Sequence, residues 1–507
     1  MQSQENDYNQ AIFDVCDLLQ NATTPEAIKQ LIEAFNKLTG FLKAGPFLEI
    51  FEAILTNISF AALFSLLAAP DNRLIVSVVD LTERLLQPVT WDMIHEKFEE
   101  FIIIGLEHPH PRVRIMVLKQ IIRCNLQTDK FNPMYSTYIW SYLKGETDSE
   151  LTTYASNVLN ILSKYPKGID ELYTESSLTN IRSLLNMDTS HRFLVYEIMS
   201  SSILNSPNAV EYFKQEGLLE KFVAEFQNDD PLALINAMEL VPVTCKSEDF
   251  SEYLVTTPIL SKISHLISPG EPEFDFLKSA ALKTFSRLSD SKGLNYSQVC
   301  IEHSFFKKIV ECMEQSNDTT LKLTTIECLG ILGFNPDVLR FLSKEKLVIN
   351  AFTSIFESSA GSARVECYKT LSCILEKTPP IEEDISEINH NIYISIKGGN
   401  LLPILVRSSM EVFQDVSFSA LSVLQKLGLY KWGQRELSQS QQFTNLILDT
   451  SRDSLFIKEL KLSIASSIVA SSSFLEMFPE DSALKLKRLA SGKATESAAP
   501  QVALDSV

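Results

Sequence analysis

Eight cysteines and seven histidines are the side chains in this 507-residue sequence best able to bind a metal or to serve as nucleophile and base. A thiolate metal site brings two cysteines close together, most simply as Cys-x-x-Cys. The cysteines at 16, 124, 245, 300, 312, 328, 367 and 373 never take that spacing. They are expected to be small buried apolar residues. His95-Glu96 lacks the second histidine one helical turn on that a zinc-protease helix requires. The sequence holds no GxSxG, no GxGxxG and no GxxxxGK followed by Ser or Thr, so the acyl-transfer and phosphate-cradling motifs are missing. The carboxylate pairs Glu99-Glu100, Asp229-Asp230 and Glu382-Glu383-Asp384 are sequence neighbours, which point apart on a helix, so solvated faces and helix caps explain them better than acid-base chemistry. The chain is expected not to be an enzyme, with no catalytic residues, no cofactor and no metal.

Composition narrows the partners. The formal charge is −19, which opposes docking on phosphate backbones or anionic lipid. A protein partner is expected, with no nucleic acid and no membrane. The start, MQSQENDYNQ, is polar and acidic and does not read as a secretory signal. The longest nearly apolar run, at residues 58–69, is far short of the roughly 20 residues that span a bilayer. The chain therefore reads as cytoplasmic, with a nuclear presence open: Lys485, Lys487 and Arg488 could serve import, although their alternation with Leu484, Leu486 and Leu489 reads better as the face of a last helix.

The elements that would position any site are helices. Thr24-Pro25-Glu26 supplies a capping residue, a proline at the first helical position and an early carboxylate. Ile28, Leu31, Ile32, Phe35 and Leu38 follow as a 3.6-residue stripe, and Gly40 stands where the helix is expected to stop. Beyond this the chain repeats itself. A turn rich in Asp, Pro, Ser or Gly leads ten times into a helix with small or aliphatic residues at steps of four, as in HPHPRVRIMVLKQIIR at 108–123 and DDPLALINAMELV from Asp229. Aligned anchors fall at 74, 113, 151, 191, 233, 277, 322, 363, 416 and 458. Eight of the nine gaps lie in or near the roughly 40–47 residues of armadillo and HEAT units. The expected fold is all-α, an armadillo/HEAT-like α-solenoid in which stacked helical repeats form a right-handed superhelix. Residues 1–70 read as a divergent capping repeat, 71–491 as the repeats, and 492–507 as a disordered tail. The one long gap contains residues 378–400, read as an inserted loop with a short strand at 391–396.

Such a stack offers a surface. The second helix of each unit lines one side of the solenoid, and equivalent positions of neighbouring units fall next to each other. Six residues past the anchors come Asp80, Lys119, Asn157, Glu197, Glu239, Lys283, Cys328, Lys369, Ser422 and Ile464, mostly polar. Nine past come Glu83, Asn160 and Ser200 among a more mixed row. The candidate partner-binding residues are therefore Asp80, Glu83, Lys119, Asn157, Asn160, Glu197, Ser200, Glu239 and Lys283. Trp91, Trp140 and Trp432 stand in unrelated contexts, unlike the repeated Trp and Asn of importin-type grooves.

Several blocks also resemble a known family. LTERLLQ at 81–87, FLVYEIM at 193–199, LGILGFN at 329–335, KLGLYKWGQRELSQSQQF at 426–443 and SSSFLEMFPEDSALKLKRLASG at 471–492 are similar, in register, to the proteasome non-ATPase regulatory subunit 5 family. The resemblance implies a cytosolic chaperone for assembly of the regulatory-particle base of the 26S proteasome. It implies as partners the C-terminal domain of an AAA-ATPase subunit, regulatory subunit 7, and neighbouring base subunits, with premature docking on the 20S core hindered. It brings no catalytic residues and no sharp binding signature. A monomer is expected when free. The alternative use of the same fold is an adaptor or scaffold for unrelated protein cargo.

Overall fold

The computed structural model describes residues 2–21, 24–44, 47–123, 131–145, 149–206, 208–268, 275–315, 318–451, 453–471 and 474–491, and all regular structure among them is helical. The sequence-predicted tail at 492–507 lies outside the described residues, as does Cys124. The chain divides into two compact units, Met1–Lys221 and Phe222–Val507.

The ten anchors all fall in second helices. In the first unit these are Asn72–Leu86, Pro111–Arg123, Ser149–Leu162 and Thr189–Asn205; in the other, Pro231–Thr244, Asp275–Arg287, Thr319–Phe334, Gly361–Leu375, Gln414–Leu427 and Leu455–Val469. Within each unit, consecutive second helices pack on one another, and the intervening helices pack against them. This is the armadillo/HEAT-like solenoid arrangement. The starts follow the turn chemistry: Asp71, Asp188, Asp230 and Asp318 each accept hydrogen bonds from backbone N–H groups of the first turn. Helices flanked on two sides must be apolar nearly all round. Thr319–Phe334 accordingly buries Leu321, Ile326, Cys328, Leu329 and Leu332 in directions that no single stripe would contain.

Neighbouring repeats are also joined by polar bonds. Pro242 has no N–H to give to Met238 O four residues back, and the hydroxyl of Thr284 on the next second helix donates to that carbonyl instead, at 3.3 Å. Two steps along the stack, Thr370 makes a similar bond between second helices, donating to Ile326 O at 2.8 Å, here without a proline. Gly330 and Gly333 let Gly361–Leu375 come close: a Cβ at Gly333 would lie 2.5 Å from Ile374 Cγ1.

Two expectations fail locally. Gly40 does not end its helix, which runs Pro25–Ala44, because Leu38 and Leu42 are both buried and continued helix is needed to seat them. Residues 391–396 form no strand. They belong to the helix Glu383–Ser395 and a 3-10 turn, Ile396–Gly399. The run Ile392, Ile394, Ile396 has strand-like alternation, yet Ile385, Asn389, Ile392 and Tyr393 are the buried set, and that spacing is helical. The helix is held at its start by Arg340, which binds Asp384 at 2.6 Å and also pairs with Glu382. Inside, Asn389 donates to Tyr430 Oη at 2.8 Å.

Candidate partner-binding surface

In the first unit the row is built on four helices. Asp80 is exposed in the middle of its helix, while Glu83, one turn on, reaches Lys119 of the next second helix at 3.0 Å. The Lys119 ammonium also lies 5.5 Å from the centre of the Tyr154 ring, on the helix after that. The lysine is thus held by an anion on one side and an aromatic face on the other. Asn157 is exposed, and Asn160 donates to Ser156 Oγ at 3.4 Å. Glu197 keeps an exposed side chain, but partial burial raises its carboxyl above the ordinary range. Ser200 departs from the sequence expectation. It is 6% exposed, because nine residues past the anchor the helix turns toward its packed side.

In the second unit Glu239 is exposed and Lys283 binds Glu327 of the following second helix at 2.9 Å. Cys328 and Ile464, the two apolar members of the row, are buried, and Lys369 pairs with Glu366 on its own helix. A pattern results. Lys119 and Lys283, the candidate cations, are each committed to a carboxylate on an adjacent second helix. Asp80, Asn157, Glu197 and Glu239 have no such partner among the described residues. The available charge on the row is therefore negative in both units, although the row contains lysines.

The six-and-nine spacing overlooks a groove of about 760 Å³ in the second unit, between the ends of its second helices. Val243 and Phe334 line it and are 47% and 56% exposed, next to Lys246 and Arg287. About half of its residues, Val243, Lys246, Arg287 and Phe334 among them, lie ten to thirteen positions past the anchors. The sequence signal was present only in part, as Lys369 of the six-residue row and as Pro242 and Ile331, each nine residues past its anchor.

Five of the described cysteines are buried, and their surroundings disfavour the thiolate. Burial pushes Cys245, Cys300 and Cys328 up to about 12, and Cys312 and Cys367 up to about 11. These thiols stay protonated at neutral pH, and the thiolate is the nucleophile and metal ligand. Among the described residues no three His, Cys, Asp or Glu groups gather in a metal-binding cluster, and no single helix is long and apolar enough to cross a membrane.

With this geometry in view, comparison with known proteins is decisive at the level of family. The family described as proteasome non-ATPase 26S subunit matches residues 14–506. The chain belongs to it. Relatives within reach of this family member include the 26S proteasome non-ATPase regulatory subunit 5 of Bos taurus, 23% identical over 471 residues, which cover 90% of this chain and 92% of that protein. The Homo sapiens and Mus musculus proteins of the same name are 23% and 22% identical, with the same coverage of both chains. Among solved structures, a Kap121p mutant gives a TM-score of 0.49 at 13% identity, covering 92% of this chain and 46% of that one. A designed armadillo repeat protein in complex with the peptide (KR)4 gives 0.35 at 12%, covering 50% and 99%.

Proposed function

We propose that this member of the proteasome non-ATPase 26S subunit family is a non-catalytic, cytoplasmic chaperone for assembly of the proteasome regulatory-particle base. Its second-helix surface receives the C-terminal domain of an AAA-ATPase subunit, regulatory subunit 7, and the bound complex is hindered from docking early on the 20S core. The reading is carried by one observation in addition to family: the row positions left without partners are carboxylates and an amide, while the lysines among them are already paired. A surface of that kind draws in a basic patch faster than a neutral one, and loses the advantage as salt rises.

Affinity capture from cytosol, with the full chain as bait, is expected to recover proteasomal ATPases without 20S core subunits. Capture of core particles together with ATPases, or of neither, would sink the assembly reading and leave the adaptor alternative. The doubly reversed variant Glu197→Lys, Glu239→Lys is expected to weaken binding of the ATPase C-terminal domain about tenfold, mainly through slower association, since exposed charges contribute roughly 0.5–1 kcal/mol each. Surface plasmon resonance at 50 and 300 mM salt checks this. Equal association rates for the two proteins, or rates indifferent to salt, would remove these residues from the contact.

A further inference from the structure

Two second helices that pack on each other in the second unit, Gln414–Leu427 and Leu455–Val469, carry large apolar side chains into solvent where they begin. Val412 is 95% exposed, Phe413 74%, Leu455 76% and Phe456 59%, and Met410 and Phe418 are exposed as well. Phe418 and Phe456 stack across the helix pair with ring centres 4.9 Å apart, which joins the two helix starts into one patch. The patch departs from a rule followed elsewhere in the chain. Asp71, Asp188, Asp230 and Asp318 cap their second helices, and Ser454 caps Leu455–Val469. Phe413 stands at the capping position before Gln414 and gives its helix no side-chain cap bond. An aromatic residue there forgoes a stabilising contact and leaves its ring in water. Local rules are broken in this way mainly at sites with another use.

A whole aromatic side chain offers roughly 150–250 Å², so the exposed shares of Phe413, Phe418 and Phe456 come to about 300 Å² and all six residues to about 600 Å², the upper end of what a monomer leaves uncovered. The rim selects the occupant. Glu411 lies in the turn, Asp415 one helical turn before Phe418 and Glu459 one turn after Phe456; all three are exposed and none makes an ion pair among the described residues. Lys458 is the one exposed cation among the described residues of 410–418 and 453–460. A second copy would bring the same carboxylates face to face, and about 600 Å² falls short of the roughly 800 Å² that each partner gives to a stable interface. An anionic membrane is repelled by the same rim. The chain's own residues 492–507 carry Glu496 and Asp505 against Lys493 and are not drawn to it.

We infer that the starts of Gln414–Leu427 and Leu455–Val469 form a docking site for an amphipathic segment of another protein, with apolar residues flanked by lysine or arginine. Phe413, Phe418 and Phe456 are its aromatic anchors, and Glu411, Asp415 and Glu459 meet the flanking cations. The site is on other helices than Glu239 and Lys283 and does not depend on the assembly reading.

The probes are three short peptides: a Leu/Phe stripe flanked by lysines, the same stripe flanked by glutamates, and the lysine peptide with serines in its stripe. Isothermal titration of the full chain is expected to show saturable one-to-one binding of the first, with the other two at least about tenfold weaker. The double variant Phe413→Ser, Phe456→Ser, in which the first change restores a favoured capping residue, is expected to weaken the first peptide about tenfold while circular dichroism stays unchanged. Glu411→Gln, Asp415→Asn and Glu459→Gln together are expected to cut the preference for lysine over glutamate flanks about threefold. Removing the same charge at Glu175, Glu220 and Glu252, exposed elsewhere, should leave that preference as it was. In the wild-type chain the Met410 methyl resonance, assigned through Met410→Leu, is expected to move with the first peptide and not with the serine one. Equal affinity for lysine and glutamate flanks, undiminished binding by the phenylalanine variant, or a Met410 resonance that stays still would each overturn the assignment. A dimer or an association with phosphatidylserine vesicles that is lost in the phenylalanine variant would give the patch to a second copy or to a membrane, and a gain in peptide affinity on deleting residues 492–507 would give it to the chain itself; each of these overturns it too.

Discussion

Replacing Trp140 by Ala is expected to lower the stability of the first unit by about 4–5 kcal/mol. Trp140 is fully buried in Met134–Tyr142, and its indole N–H donates to Leu172 O at 2.9 Å, at the end of Gly168–Leu172. The ring lies 6.0 Å from Tyr173, which in turn lies 4.8 Å from Phe213 on a later helix, while Tyr212 donates its hydroxyl to Tyr173 O at 2.8 Å. Truncation therefore opens a cavity, leaves a helix-end carbonyl unpaired and loosens one end of an aromatic chain across successive repeats. Large aromatic-to-alanine changes cost roughly 3–5 kcal/mol, and the stranded carbonyl adds about 1. Because a repeat contacts mainly its neighbours, the loss should spread to adjoining helices and fade beyond them. Urea denaturation gives the size, and hydrogen exchange gives the extent. A loss below about 2 kcal/mol, or exchange that speeds up uniformly over the chain, would contradict this account. Trp140→Phe, which keeps most of the volume, should cost about half as much.

The helix starts were legible for a local reason. Asp71, Asp188, Asp230 and Asp318 act through N–H groups two or three residues away, so neighbouring sequence is sufficient to recognise them. The repeat period was legible because the same local device returns at a nearly constant interval. Gly40 and residues 391–396 misled because their local preference was overruled by contacts far along the chain: burial of Leu42 in one case, and in the other the hold of Arg340 on Asp384, forty-four residues away.

The candidate surface was half legible for the same reason. Counting along the helices located Asp80, Asn157, Glu197 and Glu239 on exposed positions, but could not tell that Lys119 and Lys283 were already paired, since their carboxylates belong to adjacent repeats. Nor could it locate the groove beside Phe334, which depends on how closely the glycines of Thr319–Phe334 let the next helix approach. The polar character of the row was written in residue type. Its charge balance was written in the pairing between repeats, where two free amino groups are removed from the surface that a basic partner would meet.

Lys377 should make the second unit more stable relative to a Lys377→Met variant as pH rises from about 8 to 10. The side chain is 9% exposed and its ammonium donates to Gly333 O at 2.8 Å, Ile374 O at 2.7 Å and Glu376 O at 3.0 Å, the carbonyls that finish two neighbouring second helices. It also lies 5.8 Å from the centre of the Phe334 ring, behind the groove. Burial outweighs the pull of Cys373 and Glu376 and brings the amine down to about 8, against about 10.4 in an unfolded chain. Below pH 8 both states hold the proton and the burial penalty is constant. Between 8 and 10.4 the unfolded state binds more protons, so stability rises with pH, by up to about 3 kcal/mol over the window. Buried tyrosines oppose this near its upper edge: burial raises the phenols of Tyr393 and Tyr430, so ionisation favours the unfolded chain there. Those tyrosines are the same in the methionine variant, and the difference between the two proteins isolates the lysine. The unpaired carbonyls left by methionine give a constant offset, not a slope. Urea unfolding of both proteins at pH 7, 8, 9 and 10 is expected to show a difference that widens by about 2–3 kcal/mol; a difference that stays flat would mean that this lysine keeps an ordinary affinity for its proton in the folded chain.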